Sequence, residues 1–106
     1  MVVRLSLERH LHGLMMDYAL TIPAIARRAE RMHPGKSIVA RRADGSLHRT
    51  TYGETLSRAR RLIGALRSLG VERGDRVATF AWNHHQHLEA YYGVPSMGAN
   101  DRLRRW

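Results

Sequence analysis

The sequence has 106 residues, 43% of them hydrophobic and 25% charged, which is typical of a single globular domain of modest size. Its formal charge is +9, from seventeen arginines and a single lysine, and the lack of cysteine excludes disulfides, thiol catalysis and thiolate metal sites. No apolar run approaches the roughly 20 residues that span a bilayer, and Glu8 and Asp17 interrupt any signal-peptide core, so we expect a cytoplasmic protein.

The first predicted element is a helix. Residues 1–12 have no clear period and are expected to form an irregular leader. Helical spacing predicts a helix over Thr21–His33, with Thr21 as its cap and Pro23 in the first turn, where a missing N–H is tolerated. The residues at helical spacing are Ile22, Ile25, Ala29 and Met32. Pro34-Gly35 should end the helix.

A β-hairpin is predicted next. The β-prone runs Ile38–Ala40 and Leu47–Tyr52 flank Ala43–Ser46, and Asp44-Gly45 is typical of a two-residue hairpin turn in which both residues have positive φ. One face of the hairpin is polar, through Arg41, Arg42, His48 and Arg49. We therefore expect the hairpin to lie at an edge, over a core.

A second helix is predicted over Thr51–Leu69. Thr51 and Glu54 have the spacing of a capping box, and Gly70 supplies the left-handed residue after the helix. The predicted apolar stripe contains Leu56, Ala59, Ile63 and Leu66, broadened by Leu62 and Leu69. The opposite face, with Arg58, Arg60, Arg61 and Arg67, is expected to be a solvated surface.

A turn, a strand and a third helix are predicted in the last part of the chain. Arg73-Gly74-Asp75 should turn, Arg76–Trp82 should form a buried strand, and Asn83 should cap a helix with Gln86 at the capping-box position. The expected inner face of this helix contains Leu88, Tyr91, Tyr92 and Met97, and Pro95 should end or kink it.

The strand–helix order indicates the opening of a crossover unit, which needs a second parallel strand. The polar residues 100–106 are poor candidates for that strand. The pattern therefore predicts the beginning of a larger α/β protein.

Three histidines close in sequence, His84, His85 and His87, suggest a metal site, because His84 and His87 could share one helical face. No third ligand or HExxH pattern accompanies them, which favours exposed histidines in a first helical turn.

Arg73-Gly74-Asp75 matches an adhesion tripeptide, but a turn before a strand is sufficient cause for it. No nucleophile elbow or glycine-rich phosphate loop is present.

The basic charge has two interpretations. A nucleic-acid-binding module could use the arginine-rich helix Thr51–Leu69 to contact phosphates. Alternatively, the arginines lie on exposed helix faces. The nine acidic residues are scattered among the basic ones and no long basic run forms, which favours the second interpretation.

Several motifs, agreeing in order and spacing over Gly13–Ala99, resemble the amino-terminal start of bacterial fatty-acyl-CoA synthetases. They are Gly13–Tyr18, Leu20–Pro23, Arg41–Ser46, Thr51-Tyr52 with Glu54, Gly74–Ala78, Trp82–His85, and Gly93–Pro95 with Gly98-Ala99. The resemblance implies an adenylate-forming, AMP-binding ligase, which activates a long- or medium-chain fatty acid with ATP and transfers it to coenzyme A.

The resemblance also implies a fold and a division of the chain. The fold would be α/β, the truncated start of the large amino-terminal domain of such a ligase, built of helix, hairpin, helix and strand–helix unit. Residues 13–99 would be a partial AMP-binding domain, preceded by the leader 1–12 and followed by an aberrant polar tail, 100–106. The tail suggests a truncated, frameshifted or split gene.

The chemistry that the resemblance implies needs motifs that do not occur in this sequence. A loop ending in Pro-Lys-Gly should hold the ATP phosphates, a Thr-Glu pair should serve Mg²⁺, an Asp should bind ribose, and a carboxy-terminal lysine should reach the carboxylate. Lys36 matches none of these motifs. We therefore predict no catalytic, cofactor-binding or metal-binding residue here, with ATP, Mg²⁺, coenzyme A and fatty acid used only by a full-length enzyme.

Three functions follow as hypotheses. The first is an enzyme fragment that is inactive by itself. The second is the small basic nucleic-acid-binding module. The third is a structural remnant that complements a separately encoded remainder of the ligase.

Overall fold

The computed structural model describes residues 18–98. In chain order it contains α1 (Ile22–Met32), β1 (Ser37–Arg41), β2 (Leu47–Thr51), α2 (Tyr52–Ser68) and α3 (His85–Ser96). The predicted leader 1–12 and polar tail 100–106 lie outside the described residues. The small α/β arrangement agrees with the predicted fold class, except that the predicted strand before α3 does not form among the residues described.

Helix α1 begins and ends as predicted. The Thr21 hydroxyl accepts a hydrogen bond from the Ala24 N–H at 3.3 Å, and His33 is the C-cap. The buried residues are the small side chains Ala24 and Ala26, whereas Ile25 is exposed. Ala26 lies at the side of α1 that faces α2, so this contact is made by a small residue rather than by the larger apolar ones.

The predicted hairpin is confirmed, with β1 and β2 antiparallel from the pair Ser37–Thr51 to the pair Arg41–Leu47. The predicted two-residue turn is wrong. The Arg42 N–H donates to the Ser46 carbonyl at 2.8 Å, and the Gly45 N–H donates to the Arg42 carbonyl at 3.0 Å. Three residues therefore form the loop, which ends at Gly45 with φ +83°, and the adjacent Asp44 carboxylate accepts from the Ser46 N–H and hydroxyl.

Helix α2 has both predicted end signals. The Thr51 hydroxyl accepts from the Glu54 N–H, and the Glu54 carboxylate accepts from the Thr51 N–H, which completes the capping box. At the other end Gly70 has φ +88° and its N–H donates to the Arg67 carbonyl, while the Val71 N–H donates to the Leu66 carbonyl. This pair of bonds is a Schellman motif, which satisfies the last carbonyls of the helix.

The apolar stripe of α2 is confirmed except at one end. Leu56 and Ala59 are buried and Ile63 is half-buried, but Leu69 is 81% exposed. Leu69 is the C-cap, where the chain leaves the helix, so it does not share the packed face of the preceding turns.

Helix α3 begins one residue later than predicted. His84 rather than Asn83 is the N-cap, and its Nδ1 accepts from the His87 N–H at 3.2 Å. The helix ends at Ser96, directly after Pro95, as proline in the last turn predicts. Its buried residues are Glu89, Gly93 and Val94, whereas the predicted inner residue Tyr91 is exposed.

The packing of α3 against α2 explains why the buried face of α3 differs from the predicted one. A Cβ placed on Gly93 would lie 3.1 Å from the Ala59 carbonyl oxygen, so the two helix backbones approach closely at this glycine. The face that carries Gly93 therefore turns inward. Val94 and Met97 follow on it, and they pack with Ile63, Leu66, Val71 and Val77 in the core.

The predicted turn at Arg73–Asp75 is confirmed, with Gly74 at φ +93° and its N–H donating to the Gly98 carbonyl. The predicted strand Arg76–Trp82 does not form. Among residues 18–98 no backbone N–H of this segment donates to a backbone carbonyl, and Phe80 and Trp82 are 108% and 87% exposed. A strand exists only with a hydrogen-bonded neighbour, and the described chain offers none.

None of the helices within residues 18–98 has the length and apolar character needed to cross a bilayer. The cytoplasmic location stays a prediction.

Candidate functional site

Two polar side-chain contacts, one between α2 and α3 and one between the hairpin and α3, lie in the same part of the described structure. Glu89 of α3 is only 8% exposed, and its Oε1 accepts a hydrogen bond from Arg58 Nε of α2 at 2.6 Å. A buried carboxylate needs such a partner, because removing its charge from water is otherwise costly. Glu89 is thus engaged in holding the two helices together and is a poor candidate for a general base.

A histidine pair lies beside this ion pair. The rings of His48, on β2, and His85, at the start of α3, stack with their centroids 3.9 Å apart and an interplanar angle of 29°. Arg42 Nη2 lies 2.8 Å from His48 Nδ1. Because a guanidinium has only donors, His48 Nδ1 must accept this bond, which places the proton of the neutral ring on Nε2.

Both histidines are half-buried, and the surroundings of His85 bear on its charge. Burial lowers the pKa of His85, and the nearby charge of His48 lowers it further. Its Nδ1 is buried without a hydrogen-bond partner in the described part of the chain. The environment therefore favours a neutral His85.

The histidines that suggested a metal site have other roles. His84 Nδ1 caps α3 through the His87 N–H, and His87 Nε2 lies 3.2 Å from the Thr79 hydroxyl. No group of three histidine or acidic side chains within residues 18–98 is arranged to hold a metal ion. The metal interpretation of His84 and His87 has no support from this geometry.

The arginine face of α2 is more strongly paired than predicted. Arg58 bonds to Glu89, and Arg60 makes two bonds to Glu30 of α1, at 2.7 and 3.0 Å. Both arginine side chains are still about half exposed, at 51% and 58%, and Arg61 and Arg67 are exposed. Since two of the four guanidiniums are bound to carboxylates, the surface is less suited to phosphate contacts than the sequence suggested.

The described residues form hollows of different sizes, and most of their carboxylates are already engaged. The groove between α1, α2 and α3 has a volume of about 190 Å³, smaller than the roughly 300–1,000 Å³ typical of ligand sites, whereas an open hollow beside α1 has about 550 Å³. Five carboxylates already accept hydrogen bonds from neighbouring groups of the chain: Glu30, Asp44, Glu54, Asp75 and Glu89. We therefore derive no chemical step at ATP from this segment, and the absence of site residues stays a prediction.

No local sequence signal indicates the two contacts that organise this region. Neither Glu89 nor the stacking of His48 is predictable from nearby residues, because their partners Arg58 and His85 are 31 and 37 positions away in the chain. The burial of Glu89 follows from the face of α3 that Gly93 turns inward.

Comparison with known proteins shows where the segment belongs. The family model described as AMP-binding enzyme matches residues 25–100. The long-chain-fatty-acid–CoA ligase of Thermus thermophilus is 53% identical over 85 residues, which cover 80% of this chain and 16% of that protein.

Two further relatives agree. The 3-methylmercaptopropionyl-CoA ligase of Ruegeria lacuscaerulensis is 41% identical, and the medium-chain-fatty-acid–CoA ligase of Ectopseudomonas oleovorans is 38% identical. In both cases the match covers 81% of this chain and 16% of the relative. The chain thus spans about a sixth of the length of these relatives.

The resemblance inferred from the motifs is confirmed by these matches, which cover most of the described helices and the hairpin. The segment is homologous to the amino-terminal part of acyl-CoA ligases. The chain belongs to the family of AMP-binding enzymes.

Proposed function

We propose that this chain is an amino-terminal fragment of a fatty-acyl-CoA synthetase and that the isolated 106-residue chain is inactive. The observation that carries the proposal is 53% identity to a long-chain-fatty-acid–CoA ligase over 80% of the chain but only 16% of the relative. A full-length enzyme would use a fatty acid, ATP, Mg²⁺ and coenzyme A, whereas the fragment binds none of these as a cofactor.

The geometry supports a scaffold role. The buried carboxylate Glu89 is held by Arg58, and Glu30 is held by Arg60, so both acids join helices. The groove between the three helices is too small for a nucleotide. The sequence also lacks a Pro-Lys-Gly phosphate loop.

The test is exchange of radioactive pyrophosphate into ATP in the presence of a long-chain fatty acid, which reports formation of an acyl-adenylate. We expect no exchange by the purified chain above that of a mock purification from cells carrying an empty vector. The full-length Thermus relative serves as the positive control. Fatty-acid-dependent exchange by the 106-residue chain would overturn the proposal.

A second candidate function is complementation of a separately encoded remainder of the ligase, and one observation favours it. Within the described residues no backbone N–H of Arg76–Trp82 donates to a backbone carbonyl, and the segment exposes the side chains of Phe80 and Trp82. Since this segment directly precedes a helix, a parallel strand from another polypeptide is the partner that its position favours.

A further inference from the structure

The stacked histidines lie between two elements with no other polar connection among the residues described. His48 belongs to the hairpin and His85 to the first turn of α3, and their ring centroids are 3.9 Å apart. Within residues 18–98 no hydrogen bond joins β1 or β2 to α3. The contact between the two rings is therefore a polar side-chain link between the hairpin and this helix, beside the packing of β1 against α3.

The link depends on neutral rings. His48 Nδ1 accepts from Arg42 Nη2 at 2.8 Å, and a protonated His48 has no acceptor to offer. If both rings were protonated, two like charges would face each other at stacking distance beside the guanidinium of Arg42. Protonation of both rings would therefore remove the acceptor that His48 offers to Arg42, and it would also introduce repulsion between His48 and His85.

The surrounding carboxylates offset this charge only in part, because the charge of Glu89 raises the pKa of His85, whereas burial and the charges of His48, His84 and Arg42 lower it. The charged and titratable neighbours from the hairpin, α2 and α3 are Arg42, Glu54, Arg58, His84 and Glu89. Glu89 is already bound to Arg58 at 2.6 Å, and Glu54 accepts from Thr50 and Thr51 at the start of α2. Neither carboxylate is free to pair with a second histidine cation.

We infer that the His48–His85 pair is an acid-sensitive clamp, which holds the hairpin against α3 near neutral pH and releases it when the imidazoles are protonated. The clamp is independent of any ligase activity, because it concerns only contacts within this segment.

The direction of the pH dependence follows from His85. Burial lowers the pKa of His85 in the closed form, so the open form binds protons more readily. The clamp is therefore closed above the ordinary histidine pKa of about 6.5 and opens as the pH falls below it. For each unit by which the pKa differs between the two forms, the closed-to-open ratio changes by about tenfold.

The experiment is proton NMR of the full chain between about pH 7.5 and about pH 5, a range that brackets the ordinary histidine pKa. We expect nuclear Overhauser contacts between the rings of His48 and His85 at the neutral end and their loss at the acidic end. Contacts within the core around Val94 and Met97 should persist at both, because the side chains that form this core do not titrate. In His85→Phe, which keeps an aromatic ring but cannot be protonated, hairpin–α3 contacts should survive to lower pH.

His33→Phe is the matched control, because His33 is exposed and lies outside the pair, and it should leave the opening midpoint unchanged. Three results would overturn the inference. The first is ring contacts that persist at the acidic end although the ring proton shifts show both histidines protonated. The second is the absence of ring contacts at the neutral end, and the third is loss of the core contacts together with the ring contacts.

Discussion

Two carboxylates join α1 and α3 to the arginines of α2, and their surroundings differ. Glu30 of α1 accepts two hydrogen bonds from Arg60, with its side chain 35% exposed, whereas Glu89 of α3 accepts one from Arg58 and is buried. The bonds from Arg60 lower the pKa of Glu30. Helix α2 thus holds its two neighbouring helices through charge as well as through apolar contact.

The Glu30–Arg60 pair gives a pH-dependent contribution to stability. Because the pKa of Glu30 is lowered on folding, the folded form binds its proton less readily than the unfolded form. The contribution is therefore complete above the ordinary glutamate pKa of about 4.3 and is lost as the pH falls through the lowered value. We expect Arg60→Gln to be less stable than wild type at about pH 7 in urea unfolding, with a smaller difference at about pH 3.

Arg61→Gln is the control for this experiment, since Arg61 is an exposed neighbour that makes no ion pair among the residues described. It should change stability little at either pH. A deficit of Arg60→Gln that is equal at both pH values would show that the pair does not titrate as expected.

At the scale of the elements, the α2–α3 contact determines which residues are inside. Gly93 lets the backbones approach, and this places Glu89, Val94 and Met97 toward α2. The larger aromatic Tyr91 points outward as a result. One glycine therefore decides both the apolar core and the position of the buried ion pair.

Two glycine substitutions test this contact. Gly93→Ala should destabilise the chain by about 1–3 kcal/mol, because its Cβ would lie 3.1 Å from the Ala59 carbonyl oxygen and the helices would have to separate. Gly64→Ala in α2 is the matched control, since its Cβ meets nothing within 4 Å. It should stabilise the chain by about 0.5–1 kcal/mol through helix propensity.

The measurement is urea unfolding followed by far-ultraviolet circular dichroism, which reports the loss of helix. Equal effects of the two alanines, in sign and size, would contradict the close approach of α2 and α3 at Gly93.

At the scale of the whole molecule, the described segment has a small core and one uncovered side. The buried apolar residues are Ala24, Ala26, Leu56, Ala59, Val94 and Met97. Three of these six are alanines, so the apolar area removed from water is modest. Arg76–Trp82 adds to this deficit, because Phe80 and Trp82 expose nearly all of their surface.

Coexpression with the remaining part of the Thermus relative tests whether another polypeptide covers this side. If the complementing role is correct, the two polypeptides should copurify and recover fatty-acid-dependent pyrophosphate exchange. Phe80→Asp should reduce copurification, since it places a charge in the new contact. Leu69→Asp is the control, because Leu69 is also an exposed apolar residue but belongs to the end of α2 rather than to Arg76–Trp82. If Phe80→Asp and Leu69→Asp both copurify as well as the wild-type chain, Arg76–Trp82 does not form the contact between the two polypeptides.

The sequence by itself determined the features that depend on neighbouring residues. The caps at Thr21, Thr51 and Gly70 were predictable because each hydrogen bond closes within a few positions. The family was predictable for a similar reason, since its motifs are short runs in a fixed order. The hairpin was predicted too, although its loop has one residue more than the Asp44-Gly45 pair suggested.

Only the tertiary structure decided the features that join distant parts of the chain. Arg58 and Glu89 are 31 positions apart, and Arg60 and Glu30 are 30 apart, so no local pattern indicates either pair. The inner face of α3 depends on where α2 meets Gly93, and the strand Arg76–Trp82 depends on a neighbour that residues 18–98 do not contain. Helix ends are satisfied within a single turn, whereas burial and strand pairing require surfaces that other elements supply.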